Sequence, residues 1–543
     1  MAEHDKQTSP RGRAIGFWLG VGCFLLLLAL PIDPANLPAS RLAAVASLMA
    51  IWWVSNALPL FATAILPLVL FPLLGIMSGN DVAPVYFNST IVLFLGGFMI
   101  ALTMERWNLH KRIALGIIHA VGGGPPRIIL GFMVAAAFLS MWISNTATAV
   151  MMVPIGLAMV LQVEETAGAA HSRTFTIALM LGIAYGCSMG GLTTLVGTPP
   201  NLSFQRIFQI IFPEAPPIDF GTWIVMGLPI GVTMIAVAWL LLTHVLYRPS
   251  PEVRIERDIL ERERAGLGPI SFEERSVAIV FAMTALLWVF RRDLELGFAT
   301  VPGWSNLLPY AGMIDDGTVA IAMASVLFFI PTRNGASRTA GVMAGSAIPK
   351  WLEPLGWAVR LGAANRVMGA EVIPRLPWNI VLLFGGGFAL AAGFQGTGLA
   401  NIIGSQFQGL GGLPDFAVIL LVCLTLTFLT ELTSNLATTE MILPILASVA
   451  VLTEMNPLIL MVPATLSASC AFMMPVATPP NAIVFGSDRI SVGEMARAGI
   501  FLNLIGALVI ATLVLTLGET VFGIESGVMP EWATQAAPGE IGG

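Results

Sequence analysis

Apolar runs of bilayer-spanning length recur along the whole chain: Ala14–Leu30, Leu60–Ile76, Trp223–Leu242, Ser276–Phe290, Thr318–Ile330, Ile380–Ala392 and Ile500–Leu517. A spanning helix needs about 20 predominantly apolar residues, and the shorter runs reach that length with flanking neutral residues. The pattern predicts an all-α polytopic membrane protein. Two polar insertions interrupt it. "SNTATAVMMVPI" from Ser144 and "SNLATTEMILPI" from Ser434 place Ser, Asn and Thr inside apolar segments, 290 residues apart.

The repetition extends further. "VLFLGGFMIAL" from Val92 pairs with "LLFGGGFALAA" from Leu382 at the same offset, and "LVGTPPNL" from Leu195 pairs with "PVATPPNA" from Pro475 at an offset of 280. Three collinear matches read as an internal duplication. Between the two Ser-Asn stretches lie five predicted crossings, at 173–212, 220–245, 274–291, 316–332 and 378–404. An odd number makes the copies enter from opposite faces. Inverted-topology repeats are a mark of secondary transporters, which hold substrate near the midplane on discontinuous helices.

Each Ser-Asn pair sits mid-segment, at 128–163 and 416–452, with halves expected to be too short to span. Both segments therefore read as re-entrant hairpins with Ser-Asn at the tip. Consecutive prolines in "GTPPN" and "ATPPN" remove backbone donors and break a crossing at 197–201 and at 477–481. The expected layout is about 11 crossings plus the two hairpins. Residues 1–41 form an N-terminus and first helix, 42–246 the first repeat, and 247–275 a charged linker. Residues 276–520 form the second repeat and 521–543 a tail.

Composition agrees with the pattern. Of 543 residues, 56% are hydrophobic and 11% charged, against roughly a quarter charged in soluble proteins. The 55 glycines and 36 prolines suit broken helices, which a membrane tolerates where cavities or neighbours satisfy the freed backbone. Lys and Arg cluster at 6–13, 106–112, 127, 173, 248–275, 333–375 and 489–497. The positive-inside rule then puts the N-terminus in the cytoplasm; the C-terminus is expected outside, and the protein is expected in the cell (inner) membrane. Arg291 and Arg292 are exceptions to that placement. The four cysteines lack metal-type spacing and read as buried thiols. A nucleic-acid partner is not expected.

A hairpin tip beside a broken helix offers specific chemistry. Helix N-termini attract anions, Ser, Thr and Asn add donors, and unwound carbonyls suit a hard cation such as sodium. No Lys, Arg or His occurs in 128–170 or 376–488. A dianion inside a bilayer needs compensating charge, so bound sodium would supply it, and binding of the two would be positively linked.

These hairpin tips, the paired Thr-Pro-Pro-Asn breaks, "LPWNIVLLFGGG" and "NALPLFATAILPLVLFPLLGI" from Asn56 resemble the divalent anion/sodium symporter family over about residues 42–520. The resemblance implies sodium-coupled uptake of dicarboxylates, tricarboxylates or sulfate, with two or more sodium ions, by a homodimer whose transport domains move as elevators. It implies one sodium on Ser140, Ser144, Asn145 and the Gly197 carbonyl, and another on Thr430, Ser434, Asn435 and the Ala477 carbonyl. Substrate would touch Ser144, Asn145, Thr146, Ser434, Asn435, Thr198, Thr478 and Pro479. The second tip departs from the family pattern, because Leu436 stands where Thr146 supplies a hydroxyl.

C4-dicarboxylate symport, of succinate, malate or fumarate, is the leading expectation. A sodium-independent dicarboxylate exchanger would need fixed cations within the motif segments, and a sodium/sulfate symporter would share the architecture. Glu431 is an ionisable group at hairpin depth whose counterpart is Met141, which favours a one-sided structural role over proton carriage. "GCSMG" at Gly186–Gly190 fits a nucleophilic-serine pattern. Ser188 lacks the strand–turn–helix setting and a nearby His, so an intramembrane protease is remote and no enzyme is expected.

Overall fold

The computed structural model describes residues 10–253, 258–295, 299–333, 365–525 and 527–534. Among these, nine helices are long and apolar enough to cross a membrane, and shorter apolar helices lie between them. The first half runs α1 Pro10–Ala29, α2 Leu37–Ser55, α3 Leu60–Ala64, α4 Pro67–Leu73, α5 Gly79–Val85, α6 Ser89–Arg106 and α7 Leu109–Val121. It continues with α8 Pro125–Ser140, α9 Asn145–Ala167, α10 Ala169–Leu192, α11 Pro199–Ile211 and α12 Phe220–Leu240. After α13 Asp258–Gly266 come α14 Phe272–Val289, α15 Asp316–Phe329, α16 Trp378–Thr397, α17 Leu399–Gly404 and α18 Asp415–Leu429. The chain then forms α19 Asn435–Leu452, α20 Pro457–Ala468, α21 Pro479–Phe485 and α22 Val492–Phe522.

Local sequence sets the boundaries. Asn36, Asn88 and Asp219 cap α2, α6 and α12 by accepting N–H groups of the first turn. Ser271 with Glu274, and Ser491 with Glu494, form capping boxes on α14 and α22. The run Leu60–Ile76 is not one crossing. It divides into α3 and α4, because Pro67 lacks the N–H that would continue the ladder onto Thr63. The first hairpin also differs from its expected dimensions. Its rear arm α9 has 23 residues, about 35 Å at 1.5 Å per residue, and is long enough to cross, as is the 18-residue α19 of the second hairpin.

The charge clusters meet one another. Arg106 pairs with Glu371, Arg375 with Glu105 (2.8 Å), Lys111 with Glu263 (3.0 Å) and Arg112 with Glu274. Arg173 pairs with Glu494 (2.7 Å) and Arg489 with Glu164 (2.6 Å). These bonds tie the linker region and the helix ends into one charged surface. Glu274 is buried; the other pairs are part-exposed and contribute about 0–1 kcal/mol each, so they mark the surface more than they hold it. Arg291 is a different case. It is buried, with Nε on Asp316 Oδ1 at 2.5 Å and Nη2 3.7 Å from Asp219. Its exceptional position is explained by two carboxylates, one of which also accepts the Phe220 N–H at 2.9 Å.

The two halves interlock across the repeat boundary. α11, which follows the first break, packs on α19, the rear arm of the second hairpin. Reciprocally, α21 follows the second break and packs on α9, the rear arm of the first. That exchange is what a pseudo-two-fold relation between the copies requires. It carries both tips and both breaks into one central region.

Candidate functional site at the hairpin tips and helix breaks

In the first hairpin, α8 ends at Ser140 and α9 begins at Asn145. Ser144 is the N-cap, and its Oγ accepts the Ala147 N–H at 3.2 Å. Ser140 Oγ donates to Asn145 Oδ1. The first break spans residues between α10 and α11, with Thr198 as N-cap in an extended conformation. A Cβ on Gly191 would lie 2.8 Å from Asn145 Oδ1 and 3.2 Å from the Gly197 carbonyl oxygen. Both oxygens therefore lean on the same glycine, which has to lack a side chain. Ser140, Asn145 and Gly197 are brought together as an oxygen cluster, and Ser144 adjoins it in the chain.

Thr194 fastens this cluster to the tip. Its Oγ1 donates to the Met141 carbonyl at 2.5 Å and accepts the Gly197 N–H at 3.0 Å. Thr146 lies one residue into α9 and is exposed. Thr198 is buried, and no side-chain cap bond holds its hydroxyl.

The second copy is built differently at the same positions. Ser434 is the N-cap of α19 without a side-chain cap bond, and Asn435 Oδ1 is buried with no hydrogen-bond partner. Thr430 turns its hydroxyl back to the Leu426 and Thr427 carbonyls, at 3.0 and 3.2 Å. No hydrogen bond among the described residues joins Thr430, Ser434, Asn435 and Ala477 to one another. Thr478 caps α21, accepting the Asn481 N–H at 3.4 Å, and Pro479 opens that helix. Leu436 is buried.

Glu431 has a clear structural task. Its Oε1 accepts the N–H groups of Phe472 and Met473 at 2.8 and 2.9 Å, and its Oε2 accepts that of Met474 at 2.9 Å. Asn503 Nδ2 adds a fourth bond at 2.8 Å. The second break is a longer unwound stretch than the first, and this carboxylate satisfies its orphaned donors. The first copy needs no such group, because Thr194 does the equivalent work from the break side.

Sequence reasoning passed over two residues in its own motif. Asn201 Nδ2 donates to the carbonyls of Gly191, Leu192 and Thr194 at 3.2, 3.3 and 2.8 Å. Asn481 Nδ2 donates to those of Ala471 and Met474 at 3.2 and 3.1 Å. Positions 191 and 471, and 194 and 474, are equivalent at the offset of 280. The last letter of each Thr-Pro-Pro-Asn thus fastens the break that its prolines bound on the downstream side. The signal was available in the repetition of Asn itself. Ser188 lies within α10 and is buried.

The site holds no Lys, Arg or His. Its positive character comes from helix N-termini at the tips and the first break, where α9, α11 and α19 begin. Its negative character comes from amide and carbonyl oxygens, suited to hard cations. Such a region suits an anion and alkali cations held together, each lowering the cost of burying the other.

The copies also differ in how their rear arms are covered. Along α19, Leu436, Glu440 and Pro444 are buried, and the helix packs on α16. The equivalent stripe of α9, Thr146, Val150 and Pro154, is exposed, Val150 to 56%.

A family profile described as "Sodium:sulfate symporter transmembrane region" matches residues 15–524. The chain is 37% identical over 524 residues to the sodium-dependent dicarboxylate transporter SdcS of Staphylococcus saprophyticus, covering 95% of this chain and 93% of that one. It is 38% identical over 532 residues to the protein of the same name from Staphylococcus aureus strain MRSA252, covering 96% and 94%. Among solved structures, the Alcanivorax borkumensis YdaH transporter aligns with a TM-score of 0.53 at 13% identity, over 94% of this chain and 100% of that one. Neisseria gonorrhoeae MtrF aligns with a TM-score of 0.52 at 12% identity, over 90% and 96%. The last two likenesses concern the fold alone.

Proposed function

The chain belongs to the sodium:sulfate symporter family, and from that premise we propose that it is a sodium-coupled symporter of C4-dicarboxylates such as succinate, malate and fumarate. It is a multi-pass membrane transporter and not an enzyme, and sodium is the co-transported ion. The observation that carries the reading is the oxygen cluster of Ser140, Asn145 and Gly197 at the first tip, in a region without fixed cations. One sodium binds there, with Ser144. A second binds at Asn435, whose Oδ1 lacks a protein partner, with Thr430, Ser434 and the Ala477 carbonyl. The dicarboxylate lies between the tips on Ser144, Asn145, Thr146, Ser434 and Asn435, with Thr198, Thr478 and Pro479 from the breaks.

Transport proceeds by alternating access of elevator type, in a homodimer with a cytoplasmic N-terminus. The unequal cover of the two rear arms supports two states. With α19 docked on α16 and the α9 stripe open, the present arrangement is closed on the second hairpin's side. In the other state the cover is exchanged. By the charge distribution, the present state is open to the cytoplasm.

The test is uptake of labelled succinate into proteoliposomes under an inward sodium gradient, then with potassium or choline in its place. Sodium-dependent uptake competed by malate and fumarate is the expected result. Uptake that ignores sodium but requires internal dicarboxylate would overturn the reading in favour of an exchanger. Sodium-dependent uptake of sulfate but not succinate would replace the substrate and keep the mechanism.

A further inference from the structure

Glu431 is buried with four neutral donors around it, but a second buried carboxyl on the same hairpin has neither a counter-charge nor a full set of donors. Glu440, in the middle of α19, is 0% exposed. Its Oε1 accepts from Ser203 Oγ of α11 at 3.3 Å, and its Oε2 has no hydrogen-bond partner. Gly387 of α16 comes so close that a Cβ there would overlap the carboxyl group. No space remains between them for a hydrated metal ion.

The elements packed on α19 bring little charge. α16, α17, α20 and residues 405–412 contain no titratable group. α2 brings Arg41, whose Nη1 donates to the Leu74 carbonyl at 2.8 Å, and α11 brings Arg206, bonded to Gln209 at 3.4 Å. Tyr86 lies within electrostatic reach of Glu440, but its hydroxyl donates to the Ala64 carbonyl at 2.6 Å. No described cation pairs with Glu440. An isolated buried carboxylate costs several kcal/mol, a cost that the neutral acid avoids.

Two further observations concern the same stripe. The counterpart of Glu440 at the offset of 290 is Val150, which is exposed in the open copy of the same stripe. In addition, a cleft of about 110 Å³ begins one turn beyond Glu440, lined by Pro444, Ala447 and Ser448 of α19 with Gln395 and Asn401. Pro444 also lacks the N–H that would bond the Glu440 main-chain carbonyl. We propose that Glu440 is a proton-binding site controlling the docking of α19 on α16, protonated when the stripe is closed and ionised when the stripe opens to water.

The proposal rests on the alternating-access reading above. Its sign follows from the chemistry. Docking requires the protonated acid, so it is favoured at low pH and opposed as pH rises through the titration of the open form. The proton is taken from and returned to the same side, so none is moved across the membrane.

The experiment compares sodium-driven succinate uptake by wild type and Glu440→Gln in proteoliposomes over a mildly acid to mildly alkaline series. Gln mimics the neutral acid, and succinate ionisation cancels in the ratio of the two rates. The Gln-to-wild-type ratio should climb with pH, by at most about tenfold per unit; a constant ratio would overturn the proposal. A second readout leaves Glu440 in place. Leu436→Cys and Val150→Cys are labelled separately with a polar maleimide in a Cys23→Ser background. The ratio of Leu436→Cys to Val150→Cys labelling should rise with pH, and a constant ratio again overturns it. If wild-type uptake proves sodium-independent, the functional reading falls while the labelling ratio still tests Glu440.

Discussion

Asn145 illustrates how one side chain serves a site that sequence distance hides. It is five residues from Ser140, yet the two share a hydrogen bond across the tip, and both depend on Gly191 from another helix. Deleting its amide removes the proposed cation ligand and leaves Ser140 without this partner. Asn145→Ala and Asn435→Ala are each expected to abolish sodium-dependent uptake while eluting as folded protein in detergent. Wild-type uptake by either variant would disprove the site assignment. Glu431 makes the complementary point. A lone carboxylate at membrane depth reads as functional by default, and its partners reveal a brace for the backbone of the second break. Sequence supplied the asymmetry with Met141; only the fold supplied the partners.

Among the elements, the breaks follow from composition and the way they are held does not. Each Pro-Pro pair opens the helix that follows its break, as the first two residues of α11 and α21, so the existence of both interruptions was legible in the chain. Their upstream extent, to Leu192 and Ala468, was not. The closing hydrogen bonds from Asn201 and Asn481 depend on carbonyls ten residues upstream, which no local rule reaches. Each asparagine amide is buried, and losing it strands acceptors at about 1–3 kcal/mol. Asn201→Ala and Asn481→Ala should therefore each lower the melting temperature in detergent, with faster amide exchange confined to 191–198 or 471–478. The two losses should add, because the breaks share no hydrogen-bond partner. An unchanged melting temperature in both would show that the amides do not hold the breaks. Segment lengths were the less legible part. Pro67 divides what hydropathy alone joins, and α9 runs further than a half-crossing.

For the whole molecule, the packing of α11 on α19 and of α21 on α9 makes each repeat complete the other. The two copies differ at their tips, in the length of their breaks and in the cover of their rear arms, and the last difference is the one that an exchange between two states would reverse. In a Cys23→Ser background, Val150→Cys should react quickly with a polar maleimide and Leu436→Cys slowly. Conditions that slow the first should speed the second. Slow reaction at both, or parallel responses, would count against an exchange of cover between two states.

The sequence by itself determined the membrane class, the duplication, and the residues at tips and breaks. Those properties are written in local hydropathy, in proline chemistry and in self-similarity, all readable along one dimension. The tertiary structure decided which of those residues meet. It gathered Ser140, Asn145 and Gly197 around Gly191, turned Thr430 back on its own helix, and gave Glu431 its four bonds. It also buried Glu440 while exposing Val150 at the matching position. A duplicated sequence makes two arms alike, but whether an arm is covered depends on which partner helix it currently touches, and that is a property of the packed state.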